Sequence, residues 1–181
     1  MLRCDLDPRT HLRLLGEADA PELTALVRAN RDHLARWMPW VGEESPGATL
    51  AFIRGTRRQL AEENGFQTAI VHDGAIAGVV GFHGVDRVNR ATSIGYWLAA
   101  DRQGQGIMTR AVAALVGHAL TAWGLHRVEI RVATGNARSR AIPERLGFRR
   151  EGTLRGAERH GERFLDLDVF ALLAPEWHGA P

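Results

Sequence analysis

The chain has 181 residues, 45% of them hydrophobic, and a formal charge of +2 from 23 basic and 21 acidic side chains. That length suits one domain with a buried core, and no apolar run nears the roughly 20 residues that span a bilayer. Every basic residue is Arg, which explains a pI near 9.4 at so small a charge, and the interleaved acids exclude the uniform basic face that nucleic acid demands. The N-terminus, Met-Leu-Arg-Cys-Asp-Leu-Asp, lacks a basic region followed by an apolar one, so no signal peptide is expected. The lone Cys4 cannot form an internal disulfide, lies in a terminus expected to fray, and has no His partner in its sequence context. A cytoplasmic location follows as the expectation.

Residues 11–15 read as a first strand. Asp19 then suits a helix cap, with Pro21 in the first turn and Glu22 at capping-box spacing, and Leu23, Leu26 and Val27 mark the buried face. A second segment, 32–38, ends at Met38-Pro39. Ser45-Pro46 opens another helix, with Leu50, Ile53 and Leu60 at helical spacing and Gly65 as its stop. Residues 66–72 and 75–82 are β-rich runs joined by Asp73-Gly74, a two-residue hairpin signal, and 92–98 extends this meander. An Ala-rich helical pattern runs from the loop at 101–110 to about Trp123. Residues 127–133 alternate as a half-buried strand does. A short helix over 139–146 closes at Gly147, and 153–160 with 164–173 reads as a hairpin. There is no linker, repeat or low-complexity stretch, so a single domain over 1–181 is expected, with a mixed α/β sheet flanked by helices.

The stretch Asp101-Arg-Gln-Gly-Gln-Gly-Ile-Met-Thr-Arg110 follows a strand and starts a helix. Unpaired first-turn N–H groups and the helix dipole favour an anion there. Gly104 and Gly106 let a phosphate approach the backbone, and Gln103, Gln105 and Thr109 can add neutral donors. A tight turn without a ligand fits the same residues. A P-loop is excluded because no Gly-Lys-[Ser/Thr] follows, and a dinucleotide fingerprint because position 109 is Thr rather than Gly.

Gln103-x-x-Gly106-x-Met108 resembles the acyl-CoA pyrophosphate loop of the GNAT N-acetyltransferase superfamily, written Gln/Arg-x-x-Gly-x-Gly/Ala, with Met108 departing at the last position. Asn136-x-x-Ser139-x-x-Ile142-Pro-Glu-Arg-Leu-Gly-Phe148 resembles the family's next motif. Together they resemble the RimJ/RimL branch, which acetylates N-terminal amines of ribosomal proteins. The resemblance spans nearly the whole chain. It implies a mostly antiparallel sheet whose two central parallel strands, 92–98 and 127–133, splay apart to take the acyl-CoA arm. It further implies acetyl-CoA as acyl donor, a primary amine as acceptor, and direct attack in a ternary complex. Cofactor contacts would fall on Tyr96, Trp97, Leu98, Gln103, Gly104, Gln105, Gly106, Ile107, Met108, Thr109, Asn136, Arg138 and Ser139.

Acetyl transfer to an amine needs a phosphate grip, an oxyanion donor, a base for the ammonium and an acid for the thiolate. Splaying would free backbone N–H groups near 96–98 for the oxyanion, while the side chains of Tyr96, Trp97 and Leu98 also read as plain core. Many family members carry an acidic Tyr seven residues after the motif Asn; here that position is Pro143, and Tyr96 is the only tyrosine. Ser139 matches the RimL-type pattern for this role, and equally reads as an N-cap of the 139–146 helix. Glu158 resembles the RimL-type base; a carboxylate beside the notch could take the ammonium proton, or instead pair with Arg155 or Arg159. His160 is the second candidate base. Trp37, Met38 and Trp40 resemble the family's acceptor-side lid, an adaptable apolar wall, and read as well as a hydrophobic plug. Scattered histidines have no metal spacing. Rival functions are acetylation of a small amine (a polyamine, amino acid or antibiotic) and a non-catalytic acyl-CoA-binding protein. The acceptor stays unnamed, and the oligomeric state stays open, a homodimer included.

Overall fold

The computed structural model describes residues 3–42 and 45–179. Strands β1 (Arg3–Asp7), β2 (Thr10–Leu14), β3 (Gln67–His72), β4 (Ala75–Asp86), β5 (Ala91–Leu98), β6 (Arg127–Ala133), β7 (Arg149–His160) and β8 (Arg163–Leu173) form one sheet in the order β1-β2-β3-β4-β5-β6-β8-β7. Every neighbouring pair is antiparallel except β5 and β6. Helices α1 (Ala20–Ala29), α2 (Arg31–Leu34), α3 (Pro46–Ala61), α4 (Ile107–Gly117) and α5 (Ala137–Arg145) complete the mixed α/β architecture that the sequence implies. No helix among the described residues is long and apolar enough to cross a membrane.

Strand β3 shows how both sheet faces are filled. Ile70 clusters with Ile107, Val112 and Leu115 of α4, while its neighbours Ala69 and Val71 cluster with Leu23 of α1 and Ile53 of α3. Successive strand side chains point to opposite faces, so a strand covered on both is a continuous apolar run. The β3–β4 turn has Asp73 at φ 51° and Gly74 at φ 80°, as a two-residue hairpin turn requires.

Several local expectations are corrected. Cys4 does not fray: it lies on β1, opposite Leu12, half-buried against the core. Asp19 holds the N-cap position of α1 but makes no side-chain cap there; its carboxylate accepts from Gly16 N–H at 2.8 Å and pairs with Arg13 at 2.7 Å, closing the 3₁₀ turn ahead of α1. Ser45 does cap α3, accepting from Ala48 N–H at 3.1 Å, but Leu60 lies at the surface. The regular part of α4 stops at Gly117. A π-helical turn, His118–Ala122, continues it and sets Trp123 against Phe66 and Phe82, with ring centroids 5.5 and 4.6 Å apart. The helix expected over 139–146 begins at Ala137.

Buried Asp168 ties three elements together. It accepts from Arg150 and Thr153 of β7, each at 2.7 Å, and lies 3.4 Å from Arg140 of α5. The Arg150 hydrogen bond, then Thr153, hold its carboxyl below the ordinary 3.8. A lowered folded pKa contributes stability above the unfolded value that is lost as pH falls through the folded one. Asp168→Asn is therefore expected to be less stable than the parent at neutral pH, and the gap should close as pH drops below about 4. Urea midpoints measured at stepped pH check this; a gap that stays constant into acid contradicts it.

Candidate active site

Strands β5 and β6 pair only at Ala91–Arg127, Thr92–Val128 and Ser93–Glu129. Along the parted stretch each remains paired on its other side: β5 to β4 from Ile94 opposite Phe82 to Leu98 opposite Gly78, β6 to β8 as far as Ala133 opposite Leu167. Beyond Ser93 the two strands part, so backbone groups of 94–98 that face β6 have no ladder partner there. The notch stands where the motifs place it.

At one end of the notch is the 103–109 loop. Gly104 and Gly106 hold φ values of 76° and 71°, and Gly106 is the N-cap of α4. Arg110 N–H to Gly106 O, at 3.1 Å, is the first bond of that helix, which leaves the N–H groups of Ile107, Met108 and Thr109 ahead of it. Ile107 and Met108 contribute backbone alone, because their side chains are core residues; the Met at the loop's last motif position points away from the anion site. The side chains expected as donors have protein partners of their own, Thr109 as an acceptor. Gln103 bridges His33 Nε2 (2.9 Å) and Arg138, Gln105 donates to Asp101 O at 3.3 Å, and Thr109 Oγ1 accepts from Arg145 at 2.9 Å. Arg138 and Arg145 thus stand beside the loop. Arg145, unsought in the sequence, follows Asn136 by two and a half helical turns.

On the other side lies a cleft of about 950 Å³. It gathers Trp37, Met38, Trp40, Tyr96, Trp97, Asn136, Ser139 and Glu158 from four separate stretches of chain; Leu98 and the 103–109 loop are not part of its lining. Trp37 packs over Gly135, where a Cβ would sit 3.4 Å from the ring. Trp40, 45% exposed, leans on Trp97 with centroids 6.2 Å apart. These rings form a wall open to the cleft rather than a sealed plug.

Asn136, not Ser139, caps α5: its Oδ1 accepts from Ser139 N–H at 3.2 Å. The cap assignment for Ser139 is therefore overturned, and its hydroxyl is directed elsewhere. Ser139 Oγ donates to the Tyr96 hydroxyl at 3.3 Å, and that hydroxyl donates to Ser139 O at 3.1 Å. Tyr96 thus supplies the cleft with a phenol from β5, a role the sequence did not suggest because the familiar position, 143, is Pro. Burial raises its pKa well above 10, with the Ser139 bond opposing.

Glu158 pairs with neither Arg155 nor Arg159; no hydrogen bond or ion pair binds it among the described residues, and Arg159 donates to Gly161 O instead. Three β7 residues between Leu154 and Glu158 face the single Asp166 of β8, and Gly156, at φ 56°, donates to Asp166 Oδ1 at 2.7 Å. Such a bulge re-aims the side chain beyond it. Partial burial raises the Glu158 pKa above 4.5, opposed by His160. His160 is itself tethered, its Nε2 donating to Ala35 O at 2.8 Å. Residues not sought in the sequence also line the cleft, chief among them His83 and Arg131. The signal for His83 was present: glycines on both sides of Phe82-His83 within a strand mark a bulge. No group of three or more His, Cys, Asp or Glu among the described residues could hold a metal.

A parted parallel pair with a glycine loop at its helix start is the frame of an acyltransferase, and the acetyltransferase (GNAT) domain matches residues 9–149. The chain belongs to this family and is an N-acetyltransferase by class. It is 36% identical over 181 residues to the "Putative ribosomal N-acetyltransferase YdaF" of Bacillus subtilis (strain 168), covering 99% of both chains. It is 33% identical over 163 residues to the ribosomal-protein-serine acetyltransferase of Escherichia coli (strain K12), covering 88% of this chain and 90% of that one. The solved RimL, a ribosomal L7/L12 alpha-N-protein acetyltransferase in complex with coenzyme A, superposes with a TM-score of 0.90 at 27% identity, covering 94% of this chain and 97% of that one.

Because Tyr96 is the only tyrosine, absorbance near 295 nm reports its ionisation alone. Its apparent pKa is expected well above the ordinary value of about 10, and Ser139→Ala should push it higher by removing the hydrogen bond that opposes burial. Titration of the folded protein near 10 would place the phenol in water instead.

Proposed function

We propose that this protein transfers acetyl from acetyl-CoA to a primary amine, and that the amine is the N-terminus of a ribosomal protein. The convergence of Glu158, the Ser139–Tyr96 pair and the tryptophan wall on one cleft beside the notch carries the reading. The names of the relatives point the same way. The whole chain, 1–181, then acts as one cytoplasmic domain.

Acetyl-CoA supplies the acetyl group as a thioester, whose transfer releases the CoA thiol. The backbone N–H groups of Gly104–Thr109 and the flanking Arg138 and Arg145 are the phosphate grip. Unpaired N–H groups along 94–98 stabilise negative charge on the thioester oxygen. Glu158 takes the proton of the ammonium so that the amine can attack. Ser139 exchanges its hydrogen bond to the Tyr96 hydroxyl for one to the leaving sulfur, while Tyr96 keeps its own hydrogen bond to the Ser139 carbonyl and holds that backbone in place. The tryptophan wall packs against the acceptor's first residues.

Purified protein with acetyl-CoA, assayed for CoA release against N-terminal peptides, polyamines and amino acids, tests the function. Release with peptides alone supports it; release only with free small amines would reassign the acceptor, and CoA binding without release would make the protein a sensor.

Gly106→Val places a branched side chain on a left-handed residue beside the loop, within reach of Arg110 Nη1, 2.8 Å from the new Cβ. CoA affinity is expected to fall at least tenfold, about 1.4 kcal/mol. Calorimetric titration of the folded variant with unchanged affinity would remove the loop from the cofactor site.

Glu158→Gln keeps the shape of the side chain and removes the proton acceptor, so kcat should fall ~10²–10⁴-fold while CoA still binds. Since Glu158 acts as the carboxylate, the parent rate should rise with pH through a pKa above 4.5, and the variant should lose that limb. Profiles of both proteins with one acceptor cancel the amine's own titration. A variant within threefold of the parent at neutral pH would leave the base to another group.

A further inference from the structure

The acceptor cleft has a second polar wall opposite in charge to Glu158. Strand β4 pairs with β5 at Phe82–Ile94 and again at Val85–Thr92, so His83 and Gly84 together face the single Ser93. This bulge turns His83 out of the ladder. Its ring lies over Gly95, where any Cβ would collide with Nε2. No hydrogen bond holds either ring nitrogen among the described residues. Arg131 stands nearby on β6, two residues past the last β5–β6 pair. Its Nε donates to Glu129 Oε1 at 2.7 Å, and its terminal nitrogens have no partner among the described residues. Both residues line the cleft and a shallower groove of about 490 Å³ that runs on from it.

Glu129 and Glu151 balance the charges of Arg127 and Arg131, but that pairing uses only the Nε edge of Arg131. Glu129 is shared between Arg131 and Arg127, the latter at 3.0 Å, and Arg127 also holds Glu151. Burial and the Arg131 charge lower the His83 pKa, so the imidazole is neutral beside the guanidinium at neutral pH and can offer an N–H without a charge of its own. A guanidinium with two uncommitted terminal nitrogens is a planar fork suited to a carboxylate. One cleft thus presents a carboxylate, Glu158, and a guanidinium, Arg131, to the same bound molecule.

We propose that Arg131 and His83 form a carboxylate-recognition corner, and that the enzyme selects amine acceptors carrying a carboxylate near the amine. That carboxylate comes either from an Asp or Glu within the first residues of a peptide or from the α-carboxylate of a free amino acid. The proposal rests on the acetyl-transfer reading, and Arg131 acts on acceptor choice rather than on the transfer step.

The test compares matched acceptors: C-terminally amidated tripeptides with Asp or Asn at the second or third position, and serine against serinamide. With the parent enzyme, kcat/KM is expected to favour the carboxylate member of at least one pair by about tenfold, and the pair that discriminates identifies the source. Arg131→Gln should bring the ratio near one, and Arg131→Glu should invert it toward a Lys-containing tripeptide. Glu129 keeps Arg127 in both variants, and unchanged thermal melting confirms the fold. Neutral peptides acetylated with no charge preference would overturn the corner and leave acetyl transfer standing. A preference that survives both Arg131 variants overturns it too. If none of these amines is acetylated, the peptide-terminus reading of the acceptor fails, and calorimetric titration of the same pairs into CoA-saturated protein decides the corner alone: tenfold tighter binding of the acidic member supports it, equal affinities overturn it.

Discussion

A sheet can give up backbone hydrogen bonds only where something else makes the loss worthwhile, and this one gives them up between β5 and β6. Three residue pairs join the strands before they part. Each strand stays rigid along the parted stretch because its other edge is paired there, to β4 and to β8. An unpaired buried N–H costs as much as a lost hydrogen bond, so the 94–98 edge is preorganised for an acceptor atom that the protein itself does not supply. The glycine loop at the start of α4 follows β5 directly, so the anion site and the unpaired edge are fixed relative to one another by a single short connection. Everything else in the site is arranged along that opening.

The polar side chains reach it through irregularities. His83 and Glu158 both follow from β-bulges, one on β4 and one on β7, and in both cases a glycine makes room: Gly95 beneath the His83 ring, Gly156 at positive φ before Glu158. A regular strand would send alternate residues to fixed faces. Inserting residues shifts that alternation locally and delivers a titratable group to the cleft without disturbing the pairing on either side. Partial burial then raises the Glu158 pKa, and burial with Arg131 lowers that of His83.

These devices explain which parts of the molecule were legible. Periodicity and turn chemistry marked the strands well: residues 127–133 match β6 residue for residue, and Asp73-Gly74 makes the hairpin it signals. The glycine loop was visible because its chemistry is local. What failed was anything that depends on register. Strand β1 was missed because its five residues gain their partner only through β2. Of the two roles open to Ser139, the cap falls away because Asn136 three residues earlier holds its N–H and starts the helix at Ala137. The charged sequence around Glu158 suggests an ion pair, and only the bulge explains why the neighbouring arginines do not reach it. Arg131 sits in a cleanly alternating strand and looks like any solvent-facing cation until the parting of β5 from β6 gives it a cleft to face.

The motif resemblance points to position 143 for a phenol, but that position is Pro and the cleft takes its phenol from another element. Pro143 lies seven residues along α5 from the Asn136 cap, buried, and carries no proton to give. A phenol nevertheless reaches the same helix from the strand side: Tyr96 crosses from β5 to the first turn of α5 and forms two hydrogen bonds with Ser139. The helix capped by Asn136 and the unpaired strand are thereby linked at the point where the thiolate would leave in the proposed reaction. Because one residue offers both the backbone of the unpaired edge and a side chain clasping Ser139, the oxyanion and leaving-group sides cannot shift independently. In Glu158 and Ser139 the cleft holds the proposed base and acid on different elements, β7 and α5. Tyr96 is what keeps the second of them in register with the strand along which the acyl group is to lie.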